Sequence, residues 1–258
     1  MVMRLISYNV NGLRAAFSKP GFADWLASSR ADVLALQETK ARPEQLPGAL
    51  ASPDGYGAFF SCPTAKKGYS GVAVYARERP LATTFELPWP EWAQEGRLIH
   101  LELKDFHFLN VYFPNGQRDS GRLDFKLGYY EAFLEFAQGL RASKPVVVCG
   151  DFNTAHREID LARPDLYGDT SGFLPQERGF LSGLIGKGYL DTYRTLNGDL
   201  EGQYTWWSYR AGDRRRNNGW RIDYFFVSSE LAGALSKAWI EPQVGFSDHC
   251  PIGLELDL

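Results

Sequence analysis

The stretch VVVCGDFNTAH, residues 146–156, determines how the rest of the chain is interpreted. Its first residues are apolar and β-branched, as in a strand covered on both faces, and Gly150 lets the chain turn sharply where that strand ends. Asp151 and Asn153 follow, so two polar side chains are expected at the carboxyl edge of a buried strand. Ligands commonly bind at that edge in α/β folds, but this residue pair also forms turns and helix caps. Both interpretations stay open at this point.

The composition is that of a globular chain with a substantial core. Its 258 residues are 44% hydrophobic and 14% aromatic, and no linker or low-complexity segment divides them. We therefore expect one domain over residues 1–258.

The cysteines and the amino-terminal segment bear on the compartment. Cys62, Cys149 and Cys250 are odd in number and lack C-x-x-C spacing, which argues against a disulfide framework or a zinc site. The first residues do not have the pattern of a secretion signal, and no apolar run is long enough to cross a bilayer. We expect an intracellular protein, either cytoplasmic and nucleoid-associated or nuclear.

The charge is distributed unevenly along the chain. A net charge of −3 does not by itself indicate nucleic-acid binding, but residues 210–221 contain five arginines and follow the aromatic string YTWWSY. Such a loop is either a solvated face or a surface that grips phosphates and stacks on sugars or bases. Under the second interpretation, arginines 214–216 track a DNA backbone.

Short apolar or alternating runs predict a protein dominated by strands. The predicted strands cover residues 4–8, 32–37, 71–76, 97–103, 107–113, 145–149, 222–228 and 251–256. Helices are predicted to begin near Pro20 and at Pro175, with a longer one within residues 121–141. Because strands outnumber helices, a layered sheet structure with helices outside is preferred to a purely parallel, doubly wound sheet.

Two segments half a chain apart have a similar form. LISYNVNG (residues 5–12) and VVVCGDFNT (146–154) both lead from an apolar strand into polar residues. If two similar halves met face to face, both strand ends would lie at one edge of the molecule.

Polar residues interrupt or end the apolar runs throughout the chain. They are Asn9, Asn11, Glu38, Tyr112, Asn115, Asp151, Asn153, Asp223, Asp248 and His249. Each has a structural alternative: Glu38 as a helix cap, Asp223 as the partner of an arginine, His249 as a satisfied structural histidine. Burying so many carboxylates and amides without partners is costly. We therefore expect a common partner, and a divalent cation together with a phosphate would provide one.

The chemistry that this set indicates is hydrolysis of a phosphate ester. Mg²⁺ retains several waters and needs only one or two carboxylates, a role that Glu38 fits. Asp151 would orient or deprotonate the attacking water, and Asp223 would fix the tautomer of His249. The groups that would receive the charge developing on the phosphoryl oxygens are Asn9, Tyr112, Asn153 and His249.

Eight strings occur in an order that is typical of one family. They are SYNVNGLRA, LALQETK, KKGYSGVAVYAR, NVYFPNG, CGDFNTAH, SGFLPQER, GWRIDYFFVS and SDHCPI. From about residue 3 to its end, the chain resembles the exonuclease III family of abasic-site DNA endonucleases, within the DNase I-like endonuclease/exonuclease/phosphatase superfamily. The resemblance implies a four-layer α/β sandwich, in which two mixed central sheets pack face to face with helices outside.

The resemblance also implies roles for individual residues. Metal binding is implied for Glu38, with Asn11 and Asp248 beside it. Catalytic roles are implied for Asp151, Asn153, His249, Asp223, Tyr112 and Asn9. DNA binding is implied for Arg14, Tyr69, Asn115, Arg118, Trp206 and Trp220. Trp206 and Trp220 would form the slot for the abasic deoxyribose, with Trp207 in the core.

Two features depart from the family's pattern. Asn11 stands where some members have aspartate, which lowers the local negative charge and leaves its share in metal binding open. Residues 162–172 are neither basic nor rich in asparagine, unlike the same segment in some relatives. This leaves the balance between endonuclease and exonuclease activity open.

The function implied is Mg²⁺-dependent incision of duplex DNA on the 5′ side of an abasic site, with Mn²⁺ as the substitute ion. A 3′–5′ exonuclease or 3′-end-cleaning activity is implied as well. The partner is duplex DNA with abasic or damaged 3′ ends, without a membrane, and the protein is expected to be a monomer. Two alternatives remain: a phosphatase or phospholipase of the same superfamily, and a catalytically silent nucleic-acid-binding module.

Overall fold

The computed structural model describes residues 2–64, 66–209 and 212–258, so Arg210 of the arginine-rich segment lies outside the described residues. Twelve strands are found in the described part: Val2–Asn9 (β1), Val33–Gln37 (β2), Gly57–Ser61 (β3), Val72–Ala76 (β4), Ala82–Thr84 (β5), Leu98–Glu102 (β6), His107–Tyr112 (β7), Val146–Asp151 (β8), Tyr189–Asp191 (β9), Asp223–Ser228 (β10), Leu235–Ile240 (β11) and Ile252–Asp257 (β12). The α-helices of the same part are Leu13–Phe17 (α1), Phe22–Ser28 (α2), Gly48–Ala51 (α3), Ser120–Arg141 (α4), Pro175–Gly186 (α5) and Thr192–Asn197 (α6).

The strands form two six-stranded sheets. Their orders are β11-β12-β1-β2-β4-β3 and β5-β6-β7-β8-β10-β9. The β1–β2 and β7–β8 pairs are parallel, and the other strand pairs are antiparallel. Both sheets are therefore mixed, as predicted.

The alternation of side chains along the central strands produces four layers. In β1, Leu5 belongs to a core shared by the two sheets, whereas Ile6 belongs to a cluster with residues of α1 and α2. In β8, Val147 faces the shared core and Val148 faces the cluster that contains residues of α4 and α5. Because successive side chains point to opposite faces, each sheet packs on the other sheet and on helices. The predicted α/β sandwich is confirmed.

The predicted strands correspond to β1, β2, β4, β6, β7, β8, β10 and β12. The four strands that sequence reasoning missed, β3, β5, β9 and β11, are the four edge strands of the two sheets. Edge strands are short or half-exposed, so their sequences lack the continuous apolar run on which the prediction depended. In β11, for example, two adjacent residues are exposed.

The three predicted helices are also present. The longest, α4, begins at Ser120 because the carboxylate of Asp119 accepts a hydrogen bond from the backbone N–H of Arg122 at 2.8 Å. Sequence reasoning missed the short helices α1, α3 and α6. None of the described helices has the length and apolar composition needed to span a membrane. All three cysteines are free thiols, as expected.

The topology brings the ends of several strands to one edge of the sandwich. Asn9 ends β1, Tyr112 ends β7 and Asp151 ends β8, and these strands belong to the two parallel pairs. The antiparallel strand β10 begins at the same edge, where Asp223 is paired with Asp151. The similarity of residues 5–12 and 146–154 thus has a structural counterpart, because the two segments meet from opposite sheets.

Candidate active site

The turn after β8 requires an unusual backbone. Gly150 has a φ of +138°, and a Cβ atom there would lie 1.8 Å from the carbonyl oxygen of Val111. Only glycine avoids this collision. Glu38 and Asn153 also have positive φ angles, +52° and +50°. Non-glycine residues in this region are uncommon and concentrate at functional sites, so both turns carry strain where the candidate catalytic side chains project.

Asp151 is the centre of the hydrogen-bond network at this edge. Its Oδ1 accepts from the backbone N–H of Asn153 at 2.7 Å, and its Oδ2 accepts from Nδ2 of Asn9 at 2.8 Å. Burial, followed by the nearby carboxylate of Asp223, raises the pKa of Asp151 to about 7. A carboxyl group with a pKa near neutrality is suited to accept a proton during a reaction.

Glu38 and Asn11 share a positively charged neighbour. The Lys40 ammonium lies 2.9 Å from Oε2 of Glu38 and donates a short hydrogen bond to Oδ1 of Asn11. The other Glu38 oxygen accepts from Asn9 at 3.0 Å. Ligand atoms of Glu38, Asp151 and His249 all lie within 4.8 Å of one another. The oxygens of Glu38 and Asp151 are donors of the kind that a hard divalent cation prefers, and the Glu38 carboxylate already stabilises the positive charge of Lys40.

The predicted Asp–His pair is present in the structure. Nδ1 of His249 lies 2.9 Å from Oδ2 of Asp223, and Nε2 lies 3.9 Å from Oδ2 of Asp151. Burial disfavours the imidazolium, but the carboxylates of Asp223 and Asp151 outweigh it and raise the pKa of His249 to about 10. The raised pKa favours the ring that is protonated on both nitrogens at neutral pH. Its Nε2–H can donate to a negatively charged group placed in the site.

Tyr112 connects this centre to a second group of charges. Its side chain is buried, and this burial together with the nearby charge of Glu38 raises its pKa well above the usual value. The buried guanidinium of Arg97 lies 4.7 Å from the Tyr112 ring centroid and donates to the Tyr69 hydroxyl at 2.9 Å. Glu95 accepts from Arg97 at 2.7 Å. Sequence reasoning missed this charged support, because a Glu–Arg pair in sequence is not distinguishable from surface residues.

The aromatic residues form a slot beside the centre. The rings of Trp206 and Trp220 are perpendicular, with centroids 6.1 Å apart. The Tyr167 ring packs edge-on against Trp220, with a distance of 4.8 Å between the ring centroids. These three line a cleft of about 870 Å³. Trp207 is buried in a separate cluster, as expected. Tyr167 was missed, because a single tyrosine in a polar loop gave no signal.

The remaining predicted residues lie around this centre. Asp248 accepts from Nδ2 of Asn11 at 2.9 Å and from the Trp206 indole at 3.1 Å, so it joins the Asn11 side of the site to the slot. Asn115 is exposed and donates to Oδ1 of Asn153 at 3.1 Å. Arg14 and Arg118 are exposed, and the Arg118 side chain is 81% accessible. Exposed cations of this kind are available to a polyanion.

The interpretation of residues 214–216 as three backbone-tracking arginines is wrong for Arg214. Its guanidinium donates to four backbone carbonyls of residues 242–249 and is used inside the protein. Arg215 and Arg216 are exposed. For those two the proposed contact with DNA stays a prediction.

The sequence matches the Endonuclease/Exonuclease/phosphatase family over residues 6–249. It is 43% identical to an exodeoxyribonuclease of Bacillus subtilis, with 99% of this chain and 100% of the relative covered. It is 40% identical to a DNA-(apurinic or apyrimidinic site) endonuclease of Dictyostelium discoideum, with 99% of this chain and 71% of the relative covered.

Solved structures give the same grouping. The 3′ phosphatase NExo from Neisseria, bound to a product DNA hairpin, superposes with a TM-score of 0.89 at 28% identity, covering 99% of this chain and 100% of that one. An AP endonuclease from Archaeoglobus fulgidus superposes with a TM-score of 0.87 at 28% identity and the same coverage.

Proposed function

Because this chain belongs to the Endonuclease/Exonuclease/phosphatase family, we propose that it hydrolyses the phosphodiester bond on the 5′ side of an abasic site in duplex DNA and leaves a 3′-hydroxyl. The observation that carries this proposal is the convergence of Glu38, Asp151 and His249 at one edge of the sandwich, directly beside an aromatic slot. Relatives with AP endonuclease and exodeoxyribonuclease names match almost the whole chain. Removal of nucleotides or blocking groups from 3′ ends belongs to the same proposal, since one structural relative is a 3′ phosphatase.

The family depends on divalent metal, and Mg²⁺ is the ion proposed here, with Mn²⁺ as its substitute. Glu38 would hold it, with Asn11 and Asp248 beside it. Such an ion neutralises phosphate charge and makes bound water more acidic. The oxygen-rich set around Glu38, which already stabilises the ammonium of Lys40, supports this assignment.

The side chains divide the remaining work. Asp151 accepts the proton of the attacking water, and its two hydrogen bonds from Asn9 and Asn153 fix the direction of its free lone pairs. His249, protonated and held by Asp223, donates from Nε2 to a phosphoryl oxygen as negative charge develops there. Tyr112 contributes a second donor on the side of Glu38.

Substrate selection is assigned to the slot and its rim. A deoxyribose without a base fits between Trp206 and Trp220. A complete nucleotide is selected against because the slot would have to hold its base as well. Arg14, Tyr69, Asn115 and Arg118 would contact the DNA backbone without reading its sequence. We propose that residues 1–258 act as one domain and as a monomer, in the compartment that holds the DNA.

A panel of labelled substrates tests this function. Duplexes with one abasic site, an intact nucleotide, a recessed 3′ end or a 3′-phosphate are incubated with the protein and Mg²⁺ or with EDTA, beside an inositol polyphosphate. We expect Mg²⁺-dependent incision only at the 5′ side of the abasic site among the internal positions, with a 3′-hydroxyl product. Phosphate release from the inositol compound without incision of DNA would overturn the proposal, and so would binding of DNA without cleavage.

A further inference from the structure

The residues that carry His249 lie in a long connection. Residues 241–251 join β11 to β12 and form neither a helix nor a strand of the two sheets. A connection of this length is mobile unless other groups hold its backbone. The bond from Asp223 orients the imidazole ring, and backbone hydrogen bonds from Cys250 to Thr205 and from Glu241 to Pro251 hold the two ends of the connection. Several carbonyl groups between these ends still need support.

Arg214 supplies that support from a different part of the chain. Its Nη1 donates to the carbonyl oxygens of Ser247 at 2.7 Å and His249 at 3.3 Å. Its Nη2 donates to the carbonyl oxygens of Pro242 at 3.0 Å and Val244 at 2.6 Å. One side chain thus bonds both ends of the connection.

The guanidinium itself is held in place by Trp207. The cation lies 4.6 Å from the centroid of the Trp207 ring, and that ring is only 2% exposed. The backbone N–H of Trp207 donates to the carbonyl oxygen of Asp248 at 3.0 Å. Arg214 and Trp207 therefore act on the same short segment, Ser247–His249, from one side.

The chemistry of arginine suits this arrangement better than that of any other side chain. Carbonyls in an irregular loop lack the partners that a helix or sheet would give them. A guanidinium has a planar fork of donors that reaches several acceptors at once, whereas an ammonium is a single point charge on a flexible stem. The bonds are charge-assisted, so they are stronger than ordinary loop hydrogen bonds.

We propose that Arg214 is a positioning residue for His249: it holds the 242–249 main chain so that Nε2 faces the reacting phosphate. The proposal rests on the proposed function for the identity of the reaction. Under this proposal Arg214 has a positioning role that its exposed neighbour Arg215 lacks, although both residues carry the same charge in the same loop.

Kinetic measurements on matched variants provide the first test. Arg214→Met and Arg215→Met remove equal charge, so steady-state kcat and KM for abasic duplex are compared between them at several salt concentrations. We expect kcat of R214M to be at least about tenfold below that of R215M, because a positioned catalytic group loses this much when its geometry is relaxed. KM and the salt dependence of binding should change no more in R214M than in R215M. Arg214→Lys should recover part of the rate.

A spectroscopic measurement separates positioning from general damage. The chain has four histidines, so ¹⁵N-histidine spectra of the metal-free, DNA-free protein can follow each ring. We expect the His249 signals to shift or broaden in R214M while the other three stay unchanged. In a His249→Gln background, the additional loss from R214M should be less than about threefold, because coupled residues are not additive.

Several results would overturn the proposal. They are equal kcat values for R214M and R215M, an unmoved His249 signal in R214M, or a full additional loss in the His249→Gln background. If R214M does not fold, the same spectra and rates are measured on R214K. Unchanged His249 signals together with full activity of R214K would then overturn the proposal. Since the spectra require neither DNA nor metal, they test the positioning even if the wild-type protein fails to cut abasic DNA.

Discussion

Replacing Asp151 by asparagine separates the catalytic role of this carboxylate from its cost to the fold. Asp151→Asn keeps the size of the side chain but removes the proton acceptor, and a positioned base is worth ~10²–10⁴-fold in rate. We expect the loss to lie toward the upper end, because an amide has one acceptor oxygen while both Asp151 oxygens receive donors, from Asn153 and Asn9. The reoriented side chain then disturbs the network around it.

The same substitution should not destabilise the protein. A pKa of about 7 instead of 3.8 means that the folded state disfavours the ionised carboxylate, by about 4 kcal/mol above pH 7. The neutral amide removes this cost and loses one acceptor, worth about 1–3 kcal/mol. Without metal at pH 8, the free energy of unfolding of D151N should therefore be no lower than that of the wild type.

Two assays check the prediction. Single-turnover incision of an abasic duplex measures the rate, and urea unfolding in metal-free buffer measures stability. DNA affinity, measured in EDTA, should change far less than the rate. A rate within tenfold of wild type would refute the assigned role of Asp151. A slow but clearly destabilised variant would show that the loss comes from a damaged fold.

Three further predictions concern stability and specificity. Although burial alone would raise it, the pKa of Asp160 is held at about 2 instead of 3.8 by Arg221 and Arg194. This depressed pKa contributes about 2 kcal/mol to the free energy of unfolding, a contribution that is present above pH 4 and is lost as the pH falls toward 2. Urea unfolding should show this loss of stability at low pH in the wild type and a smaller loss in Asp160→Asn. Gly150→Ala places a Cβ 1.8 Å from the Val111 carbonyl oxygen and should cost more than about 4 kcal/mol in unfolding free energy, and a well-folded variant by circular dichroism and urea titration would contradict this. Trp220→Ala removes one wall of the slot and should reduce the ratio of kcat/KM for abasic over intact duplex by about 10–200-fold, and an unchanged ratio would exclude Trp220 from substrate selection.

Sequence patterns identified the central strands because each was apolar or alternating and ended in a turn residue. Asn9 and Asp151 are 142 positions apart in the sequence, and the similarity of their segments predicted that they would meet. Nδ2 of Asn9 lies 2.8 Å from Oδ2 of Asp151. The edge strands could not be predicted in the same way, since β11 mixes polar and apolar residues and β3 has only a short, half-exposed apolar run. These segments become strands because they hydrogen-bond to an adjacent strand, and their own hydrophobic pattern does not determine it.

The support of the site was harder to predict than its members. Lys126 lies on a helix with many polar residues, yet its side chain is fully buried and bonds Glu177 at 2.5 Å and the carbonyl oxygen of Asn153 at 2.7 Å. Arg214 belongs to an arginine-rich loop for which a solvated face and a DNA contact were both open, and its guanidinium bonds backbone carbonyls of the protein itself. Burial of a charge depends on partners that are distant in sequence, so composition does not reveal which arginine or lysine is used internally.

The central claim is that Glu38 holds a cation beside Asp151 and His249, and the metal dependence of Glu38→Gln tests it most directly. Glutamine keeps the size of the side chain and a hydrogen-bonding oxygen but removes the charge. The Mg²⁺ concentration for half-maximal incision of an abasic duplex should rise at least about tenfold, as expected for loss of a ligand charge, with a parallel loss of Mn²⁺ affinity by paramagnetic resonance. Metal dependence and Mn²⁺ affinity identical to those of the wild type would contradict the account.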